Sequence, residues 1–104
     1  ATLTDEYCSR AVAAFAFGPR TVEAVALPLA RFIEQHQDTL MTFPDRERGL
    51  ILGRIIDKKS WAEVMNSTGM PSLPATMRAT RRAVRELVVR AAPHLENQTA
   101  GSDL

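Results

Sequence analysis

The stretch from Ser60 to Leu87, SWAEVMNSTGMPSLPATMRATRRAVREL, limits the possible folds more than any other part of the chain. Ser60 and Glu63 stand three apart in front of an apolar run, the S-x-x-E pattern in which the two side chains cap a helix start reciprocally. Trp61, Val64 and Met65 are the apolar residues of that short helix, and Gly69 suits a left-handed stop. The cap fixes Ser60 and turns the next residue inward, so Trp61 should be largely buried against the preceding element. A second helix should begin near Ser72 or Pro74 and run to about Ala92, where Pro93 halts it. Its packed face reads as Met77, Thr80 or Arg81, Val84, Leu87 and Val88, spaced three or four apart. The small residue Gly69 lets the two helices cross closely.

The rest of the chain reads as helical too. TFPDRERGLILGRIIDKK predicts a helix with Pro44 at its first position, Asp45 and Glu47 complementing its N-terminus, and Leu50, Ile51, Leu52, Ile55 and Ile56 in the core. A first helix is expected from about Asp5 to Phe17, capped by Thr4, with Tyr7, Ala11, Ala14 and Phe15 on one face and Gly18–Pro19 at its end. Between them, Val22, Val25, Leu29, Phe32, Ile33, His36 and Leu40 form one stripe. Pro28 interrupts it and either kinks a helix or starts a new one. No segment sustains the two-residue period of a strand. The expected fold is all-α: one helical domain over residues 1–96, with N-terminal helices in 1–42, a trihelical unit in 43–92, and a disordered polar tail in 97–104.

Several function classes find little support. No run approaches a membrane-spanning length, and the N-terminal residues lack the basic and apolar regions of a signal peptide. Cys8 is the one cysteine among 104 residues, so no internal disulfide forms. A cytoplasmic protein is expected. Cys8, His36 and the methionines are most simply packing residues. His94 with Glu96 falls short of a metal site. There is no phosphate loop, nucleophile elbow or acid pair at catalytic spacing, so neither an enzyme nor a cofactor is expected.

The charge distribution is more informative. Residues 1–47 carry four basic and seven acidic side chains, whereas residues 48–104 carry nine basic and five acidic. The second part therefore sums to +4 within a chain of net +1, which points to a polyanion partner for that part. Arg78, Arg81, Arg82 and Arg85 crowd one helix with Glu86 as the only acid nearby. Arg78 and Arg82 stand four apart, opposite Val84 and Leu87. Arginine suits DNA because its planar fork grips guanine or phosphate bidentately.

From Phe43 to Leu87 the chain resembles the fourth conserved region of bacterial sigma factors. The similar parts are PDRER opening a helix with LILGRII, then SWAEVM, a glycine, and TMRATRRAVREL. The same pattern is similar to the C-terminal DNA-binding domain of quorum-sensing response regulators. About 45 of 104 residues are covered. The resemblance implies a helix-turn-helix with Ser60–Asn66 as the supporting helix and Ala75–Arg85 as the recognition helix. It places Thr76, Arg78, Ala79 and Arg82 toward the major groove. Arg85 should meet phosphate, as should Lys58 and Lys59 in the loop before the capped helix, while Arg81 should serve folding more than DNA. Two departures stand out. The segment Gly69–Thr76 is about two residues longer than the usual turn, and the other sigma-factor regions are absent, so promoter opening is not expected.

These readings converge on a small, sequence-specific transcriptional regulator of bacterial, phage or plasmid type. It should bind double-stranded DNA as a homodimer and act as a repressor. The apolar surplus of residues 1–42 would supply a shared core and the dimer interface. The alternatives are a protein-interaction module that antagonises RNA polymerase or another regulator, and a phage or plasmid DNA-packaging or partition adaptor.

Overall fold

The computed structural model describes residues 4–98, and these are helical almost throughout, without a strand. Helix α1 covers Asp5–Ala16. It starts where the Thr4 hydroxyl accepts the Tyr7 amide at 3.1 Å, with Asp5 and Glu6 against the positive helix end. It stops at Gly18, where a Cβ would lie 2.6 Å from the Ala14 carbonyl oxygen, so only glycine lets the chain turn that tightly. The buried side is Cys8, Ala11, Val12, Phe15 and Ala16. Tyr7, expected on that side, is instead exposed.

Pro28 starts a new helix and does not kink a long one. A 3₁₀ turn at Glu23–Val25 precedes helix α2, Ala26–Gln35. Pro28 sits in the first turn of α2, where its missing N–H has no intrahelical acceptor to lose. His36 closes α2, its ring 4.5 Å from that of Phe32, and a single turn, α3 (Gln37–Leu40), follows. Burial pushes the His36 pKa down.

Helix α4 covers Asp45–Ile51, one residue after the expected start, with Pro44 as the extended residue before it. It continues as a π-helical turn, Leu52–Ile56, closed by the Asp57 amide on the Leu52 carbonyl at 2.8 Å. Helix α5, Trp61–Thr68, crosses α4 over two glycines. A Cβ on Gly53 would meet Val64 at 3.3 Å, and one on Gly49 would meet Thr68 at 3.4 Å. Both halves of the Ser60–Glu63 capping box are made, at 3.1 Å each. The Ser60 hydrogen bonds hold the Glu63 carboxyl below the usual range.

Gly69 ends α5 in the left-handed region, φ 72°. Helix α6, Leu73–Ala91, follows at once, its Ser72 cap accepting the Ala75 amide at 3.2 Å. The connection is therefore Gly69–Ser72, four residues. The lengthened turn expected from the sequence does not exist, because Leu73 and Pro74 belong to the first turn of α6, where proline is tolerated. Gly69→Ala should cost about 1–2 kcal/mol, the penalty for a side chain in the left-handed region. Urea unfolding checks this; an unchanged midpoint would mean that the cap is not left-handed.

One core runs through the described residues. It joins Val12 and Phe15 of α1, Leu29 and Ile33 of α2, Ile51 of α4, and Val84, Leu87 and Val88 of α6. The chain then folds back in a 3₁₀ turn, Pro93–Gln98, that buries Leu95. Residues 97 and 98, placed in the expected tail, thus belong to this turn; residues 99–104 lie outside the described part. Most of the apolar surplus of residues 1–42 is spent inside the chain. Among the described residues of that stretch, Tyr7, Leu27 and Met41 are the large apolar side chains that stay exposed.

Candidate nucleic-acid interface

The packed face of α6 is Thr76, Thr80, Ala83, Val84, Leu87 and Val88. This corrects two expectations. Thr76 does not face outward: it is fully buried, its hydroxyl donating to the Ser72 carbonyl at 2.7 Å. Met77 is not in the core: 43% of it is exposed, although it lies on nearly the same helix azimuth as Val84, so at this end of α6 the cover reaches Thr76 but not the flank that carries Met77. Leu73, one turn earlier, is 41% exposed.

The four arginines divide into two pairs. Arg81 reaches back to α1, donating to the Phe15 carbonyl and, at 3.0 Å, to the Gly18 carbonyl. Its guanidinium lies 4.5 Å over the Phe15 ring. Burial, and then the charge of Arg85, push its pKa down. Arg85 was expected at a phosphate, but its Nε donates to the Ala16 carbonyl at 2.9 Å and its guanidinium lies 5.9 Å from the Phe17 ring. Both cations serve the carbonyl end of α1, which has no intrahelical donors of its own and is the negative end of the dipole.

Arg78 and Arg82 form the other pair. Both are exposed and lie opposite the packed face, and neither has a hydrogen bond or ion pair with another described residue. Ala79 is half-buried beside them. Lys58 and Lys59 are exposed in the loop before α5, Lys58 in the left-handed region at φ 58°. They precede α5 whereas α6 follows it, so the length of α5, roughly 12 Å, separates them from the turn that leads into α6.

Sequence reasoning passed over Arg46. It is exposed at the start of α4, without a partner among the described residues, and it lines with Arg82 a cleft of about 350 Å³ between α4 and α6. Its neighbours Asp45 and Glu47 made the segment read only as a helix start. A second cleft, about 450 Å³ between α4 and α5, is bordered by Arg46, Leu52, Asp57 and Lys59, and its Ser67 and Thr68 hydroxyls both donate to the Val64 carbonyl.

A clasp holds α5 against the N-terminal part. Glu23 accepts hydrogen bonds from Arg54 and, at 3.1 Å, from the Trp61 indole N–H, while the Arg54 guanidinium lies 5.0 Å from the Trp61 ring. Burial raises the Glu23 pKa, but hydrogen bonds from its own amide, Arg54 and Trp61 outweigh that and leave it below the usual value of 4.5. The clasp therefore contributes above that pH and is lost as the carboxyl protonates below it. Trp61, expected to be largely buried, is half-buried: it packs against the core on one side, while the exposed Glu23 and the Arg54 side chain meet its indole N–H and its ring.

Among the described residues no helix is long and apolar enough to cross a membrane, and no three His, Cys, Asp or Glu side chains gather where they could hold a metal ion. Comparison with known proteins finds no matching family model, no similar curated protein and no similar solved structure.

Proposed function

We propose that this protein is a small, sequence-specific DNA-binding transcriptional regulator, a dimeric repressor in which α4, α5 and α6 form a helix-turn-helix. The observation that carries the reading is the pair Arg78 and Arg82: two exposed cations without partners among the described residues, on the side of α6 opposite its packed face. The four-residue connection Gly69–Ser72 supports it, because a helix-turn-helix uses a turn of that length, often with glycine. With α6 in the major groove, its N-terminal turns go deepest. Arg78 then reads a base edge, and Arg82 reads a base or grips a phosphate. Lys58, Lys59 and Arg46 are left for backbone phosphates. A symmetric dimer would present two such helices to half-sites about one helical turn apart.

A second reading has its own support. Leu73 and Met77 leave apolar surface at the start of α6, which suits a protein partner such as RNA polymerase or another regulator better than a charged groove.

The test is fluorescence anisotropy of the protein on labelled duplexes, the DNA upstream of its own gene and a scrambled control, over a salt series. The expected result is tighter binding to the upstream duplex, with affinity falling as salt rises by a slope of about −0.9 for each phosphate contacted. No binding to either duplex at low salt would leave the protein-partner reading standing. Light scattering at tens of micromolar should report a dimer; a monomer there would remove the dimeric part of the proposal.

A further inference from the structure

We infer that the cleft between α4 and α6 binds a small organic anion, one carboxylate on a flat apolar body, and that this ligand competes with DNA for Arg82. The competition rests on the DNA reading above; the binding does not. The cleft holds about 350 Å³, toward the lower end of small-molecule sites, which span roughly 300–1,000 Å³. Its floor is apolar. Phe43 comes from the segment just before α4, Leu50 from the end of α4, Met70 from the turn, and Ala79 and Ala83 from successive turns of α6. The space exists because those two α6 positions are alanines.

The rim supplies the charge. Arg90 is fixed as one wall, its guanidinium 4.6 Å from the Phe43 ring and its Nε on Glu86 at 2.9 Å, so Glu86 is already neutralised. Arg46 and Arg82 have no partner among the described residues. They stand on the two helices that flank the cleft and offer planar donor forks suited to a carboxylate. Glu47 also borders the cleft and turns an anionic head toward the arginines. The apolar body then lies on Phe43, Leu50 and Ala83 as the head reaches the rim.

Arg82 belongs to two surfaces at once. On α6 it sits between the outward face that carries Arg78 and the cleft side that carries Ala79 and Ala83. A ligand that engages its guanidinium withdraws it from DNA. By linkage, DNA must then weaken ligand binding by the same factor.

Isotope-labelled full-length protein titrated with naphthoate, followed by amide NMR shifts, is the test. Saturable shifts should centre on Leu50, Met70, Ala79 and Ala83. Inorganic phosphate and uncharged naphthylmethanol should bind far more weakly, because each lacks one half of the recognition. Arg46→Gln and Arg82→Gln, both at exposed positions, should each weaken naphthoate by about tenfold. Ala79→Leu should fill the cleft and remove binding, while Arg10→Gln on α1 leaves it unchanged. Naphthoate should also raise the apparent Kd for DNA. If naphthoate causes no saturable shifts, or binds the Arg46→Gln and Arg82→Gln proteins as it binds the parent, the ligand site is overturned, whatever DNA does. If naphthoate binds but leaves DNA affinity unchanged, the competition is overturned and the site stands. If the protein binds naphthoate and no duplex, the DNA reading and the competition fall, again without the site.

Discussion

Phe15→Ala should destabilise the whole chain by about 3–5 kcal/mol, the usual cost of emptying a fully buried phenylalanine site. Phe15 is 2% exposed and belongs to the same core as Val84 and Leu87 of α6. Its ring also underlies the Arg81 guanidinium. The loss should appear as one cooperative transition followed identically by circular dichroism and by Trp61 fluorescence, although Trp61 stands 46 positions away in the sequence. Two separated transitions would mean that the N-terminal helices and α4–α6 fold as independent units. A loss below about 1 kcal/mol would mean that Phe15 is not in the core.

Arg81→Ala should cost about 2–3 kcal/mol. Two charge-assisted hydrogen bonds to the Phe15 and Gly18 carbonyls disappear, together with the stacking on Phe15. Each such bond is worth about 1.5–3 kcal/mol when well shielded, and the partial exposure of this arginine keeps the total toward the lower end. The carbonyl end of α1 also loses a cation. Arg81→Lys should recover only part of the loss, since a single ammonium cannot reproduce the fork or lie flat on the ring. Denaturant unfolding measures all three proteins. If Arg81→Ala is as stable as the parent, the anchoring of α6 to α1 has no energetic weight.

The caps were the most legible part of the fold. Thr4, Ser60 with Glu63, Gly69 and Ser72 act within a few residues of themselves, and each stands where local chemistry puts it. The failures at Met77, Arg85 and Trp61 share a cause, which is contact with a distant segment or the lack of it. A helical period gives the azimuth of Met77 but not how far the neighbouring helices extend along α6. Arg85 and Arg78 look alike in sequence; what separates them is the Ala16 carbonyl, 69 positions from Arg85. The inward direction of Trp61 was set by the cap, but its coverage depends on Glu23, 38 positions away. The turn before α6 looked long because Leu73 and Pro74 were read as connection, although proline in a first helical turn is ordinary. The π turn at Leu52–Ile56 shifts a hydrogen bond by one residue and leaves no mark in the apolar pattern. At the site, Arg78 and Arg82 lie on the outward face as read, Thr76 does not, and Arg46 was concealed by two acidic neighbours.

The division of the arginines into anchors and free donors is the core of the account, and four single alanine variants test it most directly. Each is titrated onto the upstream and scrambled duplexes over the same salt series, at a temperature where circular dichroism shows it folded. Arg78→Ala should cost about 1–3 kcal/mol on the upstream duplex, with little change on the scrambled one. Arg82→Ala should show either that pattern or a uniform loss with the salt slope reduced by about one unit. Arg81→Ala and Arg85→Ala, whose side chains serve α1, should bind both duplexes nearly as the parent does while unfolding more easily. If Arg78→Ala and Arg82→Ala bind the upstream duplex as tightly as the parent, α6 is not a recognition helix and the account is contradicted.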